Sequence, residues 1–396
     1  MTTPRTVESL FAQPRGTAQA LAIAPWLGET RAHAIETFRS QGIPHRREEA
    51  WKYSDLRAAL EAANDIDSEG VTWRISDLLT GIDLFDLSEH AAPEWVQAHL
   101  GKSAADAAMP AASLAFAQSG FALRIPRNLR VRQPIRLTFS GSGQARALIV
   151  LEEGASATFI ETPSCGGFSN VGIEVVVGTN AHFTLARTSD VAPSAIQVED
   201  IAVRVARDAS LKAHLSNEGA SLGRLNLRVT LKEPGANAHI SSVSVMGNAL
   251  HADVTTEVTH AAGDTTSVQI VRKAVGGRAR AVYQGKITVA EGANGSDSRQ
   301  TAKAILLSDR AEADLKPELE ILADDVKCAH GAAVGDLDPE SLFYLRSRGV
   351  PEEEARNLLI RAFLEDAIAP IADEEIRAEV WQRIETALAR ALEATP

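Results

Sequence analysis

Two side chains with metal-binding chemistry stand two residues apart in the segment LEILADDVKCAHGAAVGDLD (319–338): Cys328 and His330. On an extended backbone, side chains at i and i+2 project to the same face. A soft thiolate beside an imidazole suits iron, zinc or copper(I). Two donors do not complete a tetrahedral site, so a metal held here needs ligands from elsewhere, another chain included. Asp324 and Asp325 fit two roles, outer support for those donors or solvated acids in a turn. A Cys-x-His pair at a strand end also occurs without any function, and the spacing alone leaves both readings open.

The common catalytic signatures are missing. The chain has no GxxxxGK[ST] phosphate loop, no GxSxG elbow, no HExxH and no CxxC. GGR at 276–278 and GANGS at 292–296 suit turns rather than phosphate cradles. His182, His214 and His239 each follow a turn at related positions, which stacked polar positions on a repeating face explain better than a metal site. Cys165, in PSCGG, has no His near it in sequence and is read as incidental. Trp51-Lys52-Tyr53 is read as helix packing rather than a contact to another molecule.

The elements that must position Cys328 and His330 follow from pattern. Residues 1–66 read as helical: ETRAHAIETFRSQG places Ala34, Ile35 and Phe38 at helical spacing and stops at Gly42, and IPHRREEAWKYSDLRAALEAA gives a second short helix. Residues 67–110 are mixed, with AADAAMPAAS suited to a connector. From about residue 121 the texture turns to short strands: LRIPRNLRVRQPIRLTF, ALIVLEE, GIEVVVG, IAVRVA, LNLRVTL and HISSVSV alternate or run β-branched. A turn followed by a small residue and a strand recurs at Gly154, Asn180, Asp208, Gly235 and Gly263-Asp264, every 26–28 residues. Such a rhythm predicts a solenoid, best a parallel β-helix, in which each coil buries the face of its neighbour. A β-sandwich with evenly spaced turns is the alternative. No βαβ alternation supports a doubly wound fold.

Helical pattern returns near residue 337. Asp338-Pro339 is a cap followed by Pro at the first helical position, and Gly349 is a stop. The next helix opens at Pro351, with Ala355, Leu358, Leu359, Ala362 and Phe363 as its apolar face. The last one puts Ile376, Val380, Ile384 and Leu388 on one side. The expected organisation is a helical and mixed region at 1–110, a mainly β solenoid at 111–337 and a helical domain at 338–396.

Composition sets limits. Of the 396 residues, 45% are hydrophobic, 23% charged and only 5% aromatic, which predicts a large aliphatic core. A net charge of −12 without a basic tract argues against nucleic acid and anionic membranes as partners. The N-terminus lacks a signal-peptide pattern, no apolar run suffices to span a bilayer, and two cysteines make no disulfide framework, so the expected compartment is the cytoplasm.

The segment 319–338 and LFYLRSRG at 342–349 resemble the hallmark of the SufB/SufD family of iron–sulfur assembly proteins. VYQGKITV (282–289), SRQTAKAILLSDRAEADLKPELEI (298–321) and REEAWKYSDL (47–56) are similar to it as well. The resemblance implies a right-handed parallel β-helix flanked by helical ends, and a non-catalytic scaffold of the SufD type. It implies partners, one SufB-type chain and two copies of the SufC ATPase docked on the C-terminal helices, and leaves open a homodimer of the isolated chain. It implies no permanent cofactor, but a transient iron–sulfur cluster or iron at the SufB–SufD interface. His330 is then the favoured ligand and Cys328 a second candidate. The position of the cluster-building cysteine of SufB-type chains falls at Ala311, which argues against a SufB-like primary scaffold. Ala329 and Ala333 stand where the family usually has Ser and Thr, removing two hydroxyls beside the candidate ligands. A carbohydrate-active β-helix protein is the remaining alternative; it needs paired carboxylates lining a groove.

Overall fold

Strand pairing decides between solenoid and sandwich. The structure, a computed structural model, describes residues 10–11, 24–63, 70–76, 78, 80–103 and 107–393. An odd sheet contains β5 (Ser156–Glu161), β7 (His182–Arg187), β9 (Ser210–Ser216), β11 (Asn237–Met246), β13 (Thr266–Val275), β15 (Asp297–Leu306) and β17 (Lys327–Gly335). An even sheet contains β6 (Phe168–Val177), β8 (Ile196–Val205), β10 (Leu222–Leu231), β12 (His251–His260), β14 (Arg280–Val289) and β16 (Glu312–Ile321), with β3 (Ser119–Ile125) before them. Each strand pairs in parallel with the strand one coil later in its own sheet. A sandwich would pair its strands antiparallel. The result is a parallel β-solenoid of about 8 turns with helices at both ends.

The turn rhythm has a backbone cause. Asn128, Gly154, Asn180, Asp208, Gly235, Asp264 and Gly295 all adopt positive φ, the region that Gly, Asn and Asp tolerate best. They form one corner column. The N–H of Gly154 donates to the carbonyl of Thr179 at 2.9 Å, that of Asn180 to Arg207 at 2.9 Å and that of Asp264 to Asn294 at 2.9 Å, so corners are bonded coil to coil. Within Gly263-Asp264 the left-handed residue is Asp264. A side chain at Gly235 would collide with the Asp208 carboxylate stacked over it, so glycine is required there.

LRIPRNLRVRQPIRLTF, read as one strand run, is two strands. β3 ends at Ile125, the Asn128 corner intervenes, and β4 (Ile135–Leu151) begins beyond Pro134. β4 bends at the positive-φ glycines Gly141 and Gly143, so its first half pairs with β5 and its second with β3 and β6. β1 (Gly70–Ser76) and β2 (Asp83–Asp86) add antiparallel partners to β4 and β3.

The space between the sheets is filled by inward side chains such as Leu225, Leu227, Val229 and Leu231 of β10 facing Ala238 and Ile240 of β11. Helices cover the outer faces. On the even sheet, α1 (Gly28–Gln41) and α4 (Ala108–Ala115) join Leu148, Phe168, Ile196 and Leu222 in a second core. The short α2 (Leu56–Ala62) and α3 (Glu94–His99) contribute Leu60 and Val96 to it. AADAAMPAAS is therefore not a connector. Residues 104–106 lie outside the described chain, and every residue of α4 is buried. Its residues are small because it lies against the sheet, where Asn170 and Arg146 donate to the carbonyls of Met109 and Pro110 at 2.9 and 3.2 Å. The expected helices at 1–66 are present as α1 and α2, while 1–9, 12–23 and 64–66 lie outside the described residues.

On the odd sheet, α6 (Glu352–Ile368) and α7 (Glu374–Glu393) cover Ile160, Ala186, Val243, Val245 and Ala274. α7 buries Ile376, Val380, Ile384 and Leu388 as expected. α6 does not use its expected face. It buries Ala355, Ile360, Leu364, Ala367 and Ile368, and leaves Leu358 exposed, because its sheet contact selects a different side of the helix. Each fully buried aliphatic residue here contributes roughly 1.5–3 kcal/mol, so these helices are integral to the body. α5 (Pro339–Ser347) buries none of its residues, and the Asp338 side chain caps its start by accepting from Glu340 and Ser341 N–H.

Candidate functional site

Cys328 and His330 lie on β17, the last strand of the odd sheet, which is bonded on one side only, to β15. The register sets Cys328 beside Ser298 and His330 beside Gln300. Ser298 and Gln300 are both buried, on the inward face that continues through Ala302. In-register parallel neighbours share a face, so Cys328 and His330 form the last inward rung, at the open mouth of the solenoid. Facing them across the mouth are the inward positions of β16, Leu315, Pro317 and Leu319, in register with Tyr283, Gly285 and Ile287.

The two donors differ in environment. Cys328 is half-buried and packs with Leu319, Ala323 and Val326 onto Ile287, Val289 and Ala293, whereas His330 is exposed. Burial pushes the Cys328 thiol up; a hydrogen bond from the Ser298 backbone opposes this, and the nearby Asp297 carboxylate adds to it. The thiol therefore favours its protonated form. Asp325 is a corner residue whose carbonyl accepts the Gly295 N–H at 2.7 Å, and both Asp324 and Asp325 are exposed. Among the described residues no three His, Cys, Asp or Glu side chains gather as a metal site, so this chain offers two donors at the mouth.

Sequence reasoning missed what lies beneath them. Most of the interior is aliphatic, but the last coils carry a polar column. Gln300 donates to the Tyr283 hydroxyl at 3.0 Å, and Tyr283 donates to Gln269 Oε1 at 3.2 Å, with Thr256 2.8 Å from the same hydroxyl. Beside it, Ser298 Oγ lies 2.6 Å from Ser267 Oγ, which lies 2.9 Å from His260 Nε2. His260 Nδ1 is 2.8 Å from Thr265 Oγ1, and burial lowers its pKa to about 4, so it is a neutral link. The available signal was alternation of Ser and Gln in TSVQ and DSRQ at matching positions of β13 and β15.

The other candidates do not join the site. His182 pairs in register with Ser210, His239 with Lys212, and His214 with Ser241, so the three histidines occupy different rungs and do not stack on one another. Cys165 is buried, its thiol donating to the Gly167 carbonyl at 3.2 Å. Trp51 packs under the Arg224 guanidinium at 3.9 Å, and Ser54 donates to Asp253 at 2.6 Å and meets His251 Nε2 at 2.8 Å. That Ser-His-Asp group lacks the order of a nucleophilic triad: its hydroxyl is committed to the carboxylate, and the group pins the N-terminal segment to β12. Ala311 packs with Ala279 and Ala281 at the solenoid's side.

Comparison with known proteins adds the decisive observation. The SUF system FeS cluster assembly, SufBD core domain, matches residues 137–363, and the SufBD N-terminal region matches residues 1–77. The chain belongs to the SufBD family. The SufBD core match runs from β4 into α6 and takes in both Cys328 and His330. The iron–sulfur cluster assembly protein SufD of Escherichia coli is 29% identical over 90% of this chain and 92% of its own length. SufD of Bacillus subtilis is 26% identical over 68% of this chain and 64% of its own length, and a SufBD family protein of Mycobacterium tuberculosis 27% over 89% and 90%. SufBD membership sets aside the carbohydrate-active alternative. Among the described residues no helix is long and apolar enough to cross a membrane.

Proposed function

We propose that this chain is a SufD-type, non-catalytic subunit of a SUF assembly complex, presenting His330, with Cys328 as a lesser donor, to iron or a nascent cluster shared with a SufB-type partner. The observation that carries the reading is the placement of this donor pair on the inward face of a strand with one free edge. Two donors at an open mouth form half a site, and an unpaired strand edge is where another chain's strand adds. Ala311 supplies no thiolate, in keeping with a chain that does not build a cluster alone.

ATPase docking falls on a smaller surface than the whole helical end. The apolar stripes of α6 and α7 are spent on the odd sheet, so docking rests on α5, where Phe343 is 73% and Tyr344 57% exposed, together with the exposed Leu358 of α6.

His330→Ala tests the reading. It removes the donor at an exposed position, where a substitution costs little stability. The variant is expected to assemble with its SufB-type and SufC-type partners yet fail to complement a strain lacking this protein under iron limitation. Cys328→Ala is expected to be milder. Full rescue by His330→Ala refutes the role, and loss of the complex reduces it to a structural one.

A further inference from the structure

Two buried amide atoms in the column beneath His330 have no partner, Gln300 Oε1 and, one coil below it, Gln269 Nε2. Gln300 is 1% exposed and its Nε2 is spent on Tyr283, but its Oε1 finds no donor. A buried acceptor left without a donor is costly, so such an atom in a native interior points to a partner that completes it. Gln300 has two neighbours in register on the same face, Gln269 below, whose amide is bonded to the Tyr283 hydroxyl through Oε1, and His330 above, each one strand spacing away. The His330 ring carries the N–H that the amide oxygen lacks.

The rest of the column fixes the Gln300 amide through its nitrogen. Gly285 lies between Tyr283 and Gln300, where a Cβ would collide with the Gln300 amide nitrogen and come within 2.5 Å of the Tyr283 hydroxyl. The glycine therefore makes room for the Gln300–Tyr283 contact. Tyr283 is itself wholly buried and donates onward to Gln269, which orients its oxygen to accept from Gln300 and so turns Oε1 the other way.

We infer that Gln300 is a positioning residue for His330: its Oε1 accepts one ring N–H, fixes the tautomer and leaves the other ring nitrogen as the donor. This rests on the proposed role of His330. A histidine that binds a metal through one nitrogen needs an acceptor for the N–H on the other, and the tautomer follows from that second bond.

The test reads the tautomer and not cluster building. The full-length chain, labelled with nitrogen-15 in histidine, is examined by imidazole nitrogen NMR at a pH where the ring is neutral, with His330→Ala assigning the signal. Wild type is expected to show one tautomer of His330 in up to about tenfold excess, as one neutral hydrogen bond allows. Gln300→Leu, which keeps the bulk and removes the acceptor, is expected to give the mixture seen for imidazole in water. Gln300→Glu, which keeps an acceptor, is expected to restore the single tautomer. Should Gln300→Leu fail to fold, Tyr283→Phe, which frees the amide to turn, is read in the same way. A mixed tautomer in wild type, or an unchanged His330 signal in the folded variant lacking the acceptor or its anchor, overturns the inference. A failure of the function instead shows as rescue by His330→Ala in the complementation assay, whatever the NMR reports.

Discussion

Glu161, the last residue of β5, is wholly buried inside the solenoid, and neither of its carboxyl oxygens has a hydrogen-bond donor. The nearest cation is already committed: Arg187 pairs with Glu199 at 2.9 Å and donates to the Gln197 side chain at 3.2 Å and the Ser216 carbonyl at 2.6 Å. Burial first, then the Glu199 charge, hold the Glu161 carboxyl well above its ordinary 4.5, with Arg187 opposing. A proton on Glu161 also gives Glu199 Oε1, itself without a donor, something to accept. The native state thus binds a proton that the unfolded chain releases above 4.5. While it is held, stability falls as pH rises, by about 1.4 kcal/mol per unit. Glu161→Gln supplies a permanent amide donor of the same shape and removes the titration. Urea unfolding of both chains at pH 4.5, 6 and 7 is expected to show near-equal stability at the lowest pH and an advantage for Glu161→Gln that grows as pH rises. A difference that does not grow with pH, or a variant less stable than wild type at pH 6, refutes the reasoning.

Lys273, buried and bonded to Ser244 Oγ at 3.0 Å, has its pKa lowered by burial to about 8. Its unfolded form binds the extra proton between about 8 and 10.5, so wild-type stability should rise with pH in that window, and Lys273→Met should abolish the rise in alkaline unfolding curves. Gly285→Ala pushes a methyl group between Gln300 and Tyr283 and should lower stability by roughly 1–3 kcal/mol in the same urea assay. Phe343→Glu with Tyr344→Glu should leave the thermal midpoint nearly unchanged, since α5 buries nothing, yet abolish co-purification of the SufC-type ATPase. Deleting everything after Val350 is a poorer test of docking, because it uncovers Val243, Val245 and Ala274 and should cause aggregation.

The coil rhythm was legible because each corner needs a left-handed residue followed by a small buried one, and few residue types serve: Ala155, Ala181, Ala209 and Ala236 are all wholly buried beside their corners. The ends of α5 and α7 were legible from a capping aspartate and an unbroken apolar stripe. The inward face of the strands was not. Helices cover the outer faces of both sheets, so β11 buries eight of its ten residues and its alternation carries no sign of which side is interior. The same cause hid the polar column, whose Gln269, Ser298 and Gln300 look in sequence like solvent-facing positions. Cys328 and His330 were readable as a donor pair from spacing. Their place at an open mouth came only from knowing that, among the described residues, β17 pairs with β15 alone.

Stacked coils have a direction of weakness. Interior coils are clamped between two neighbours, but β16 and β17 form a terminal coil held on one side, β16 largely half-buried and β17 almost wholly exposed. In a one-dimensional array such a coil frays first, opening at a small fraction of the free energy needed to unfold the whole. Cys328 and His330 therefore ride on the segment whose backbone breathes most readily, and the clamped coils below act as a rigid base for it. Any chain that adds a strand there replaces the missing neighbour, so binding and local ordering become one event. On the proposed function, the donor pair is then fully set in place only when the partner chain has arrived.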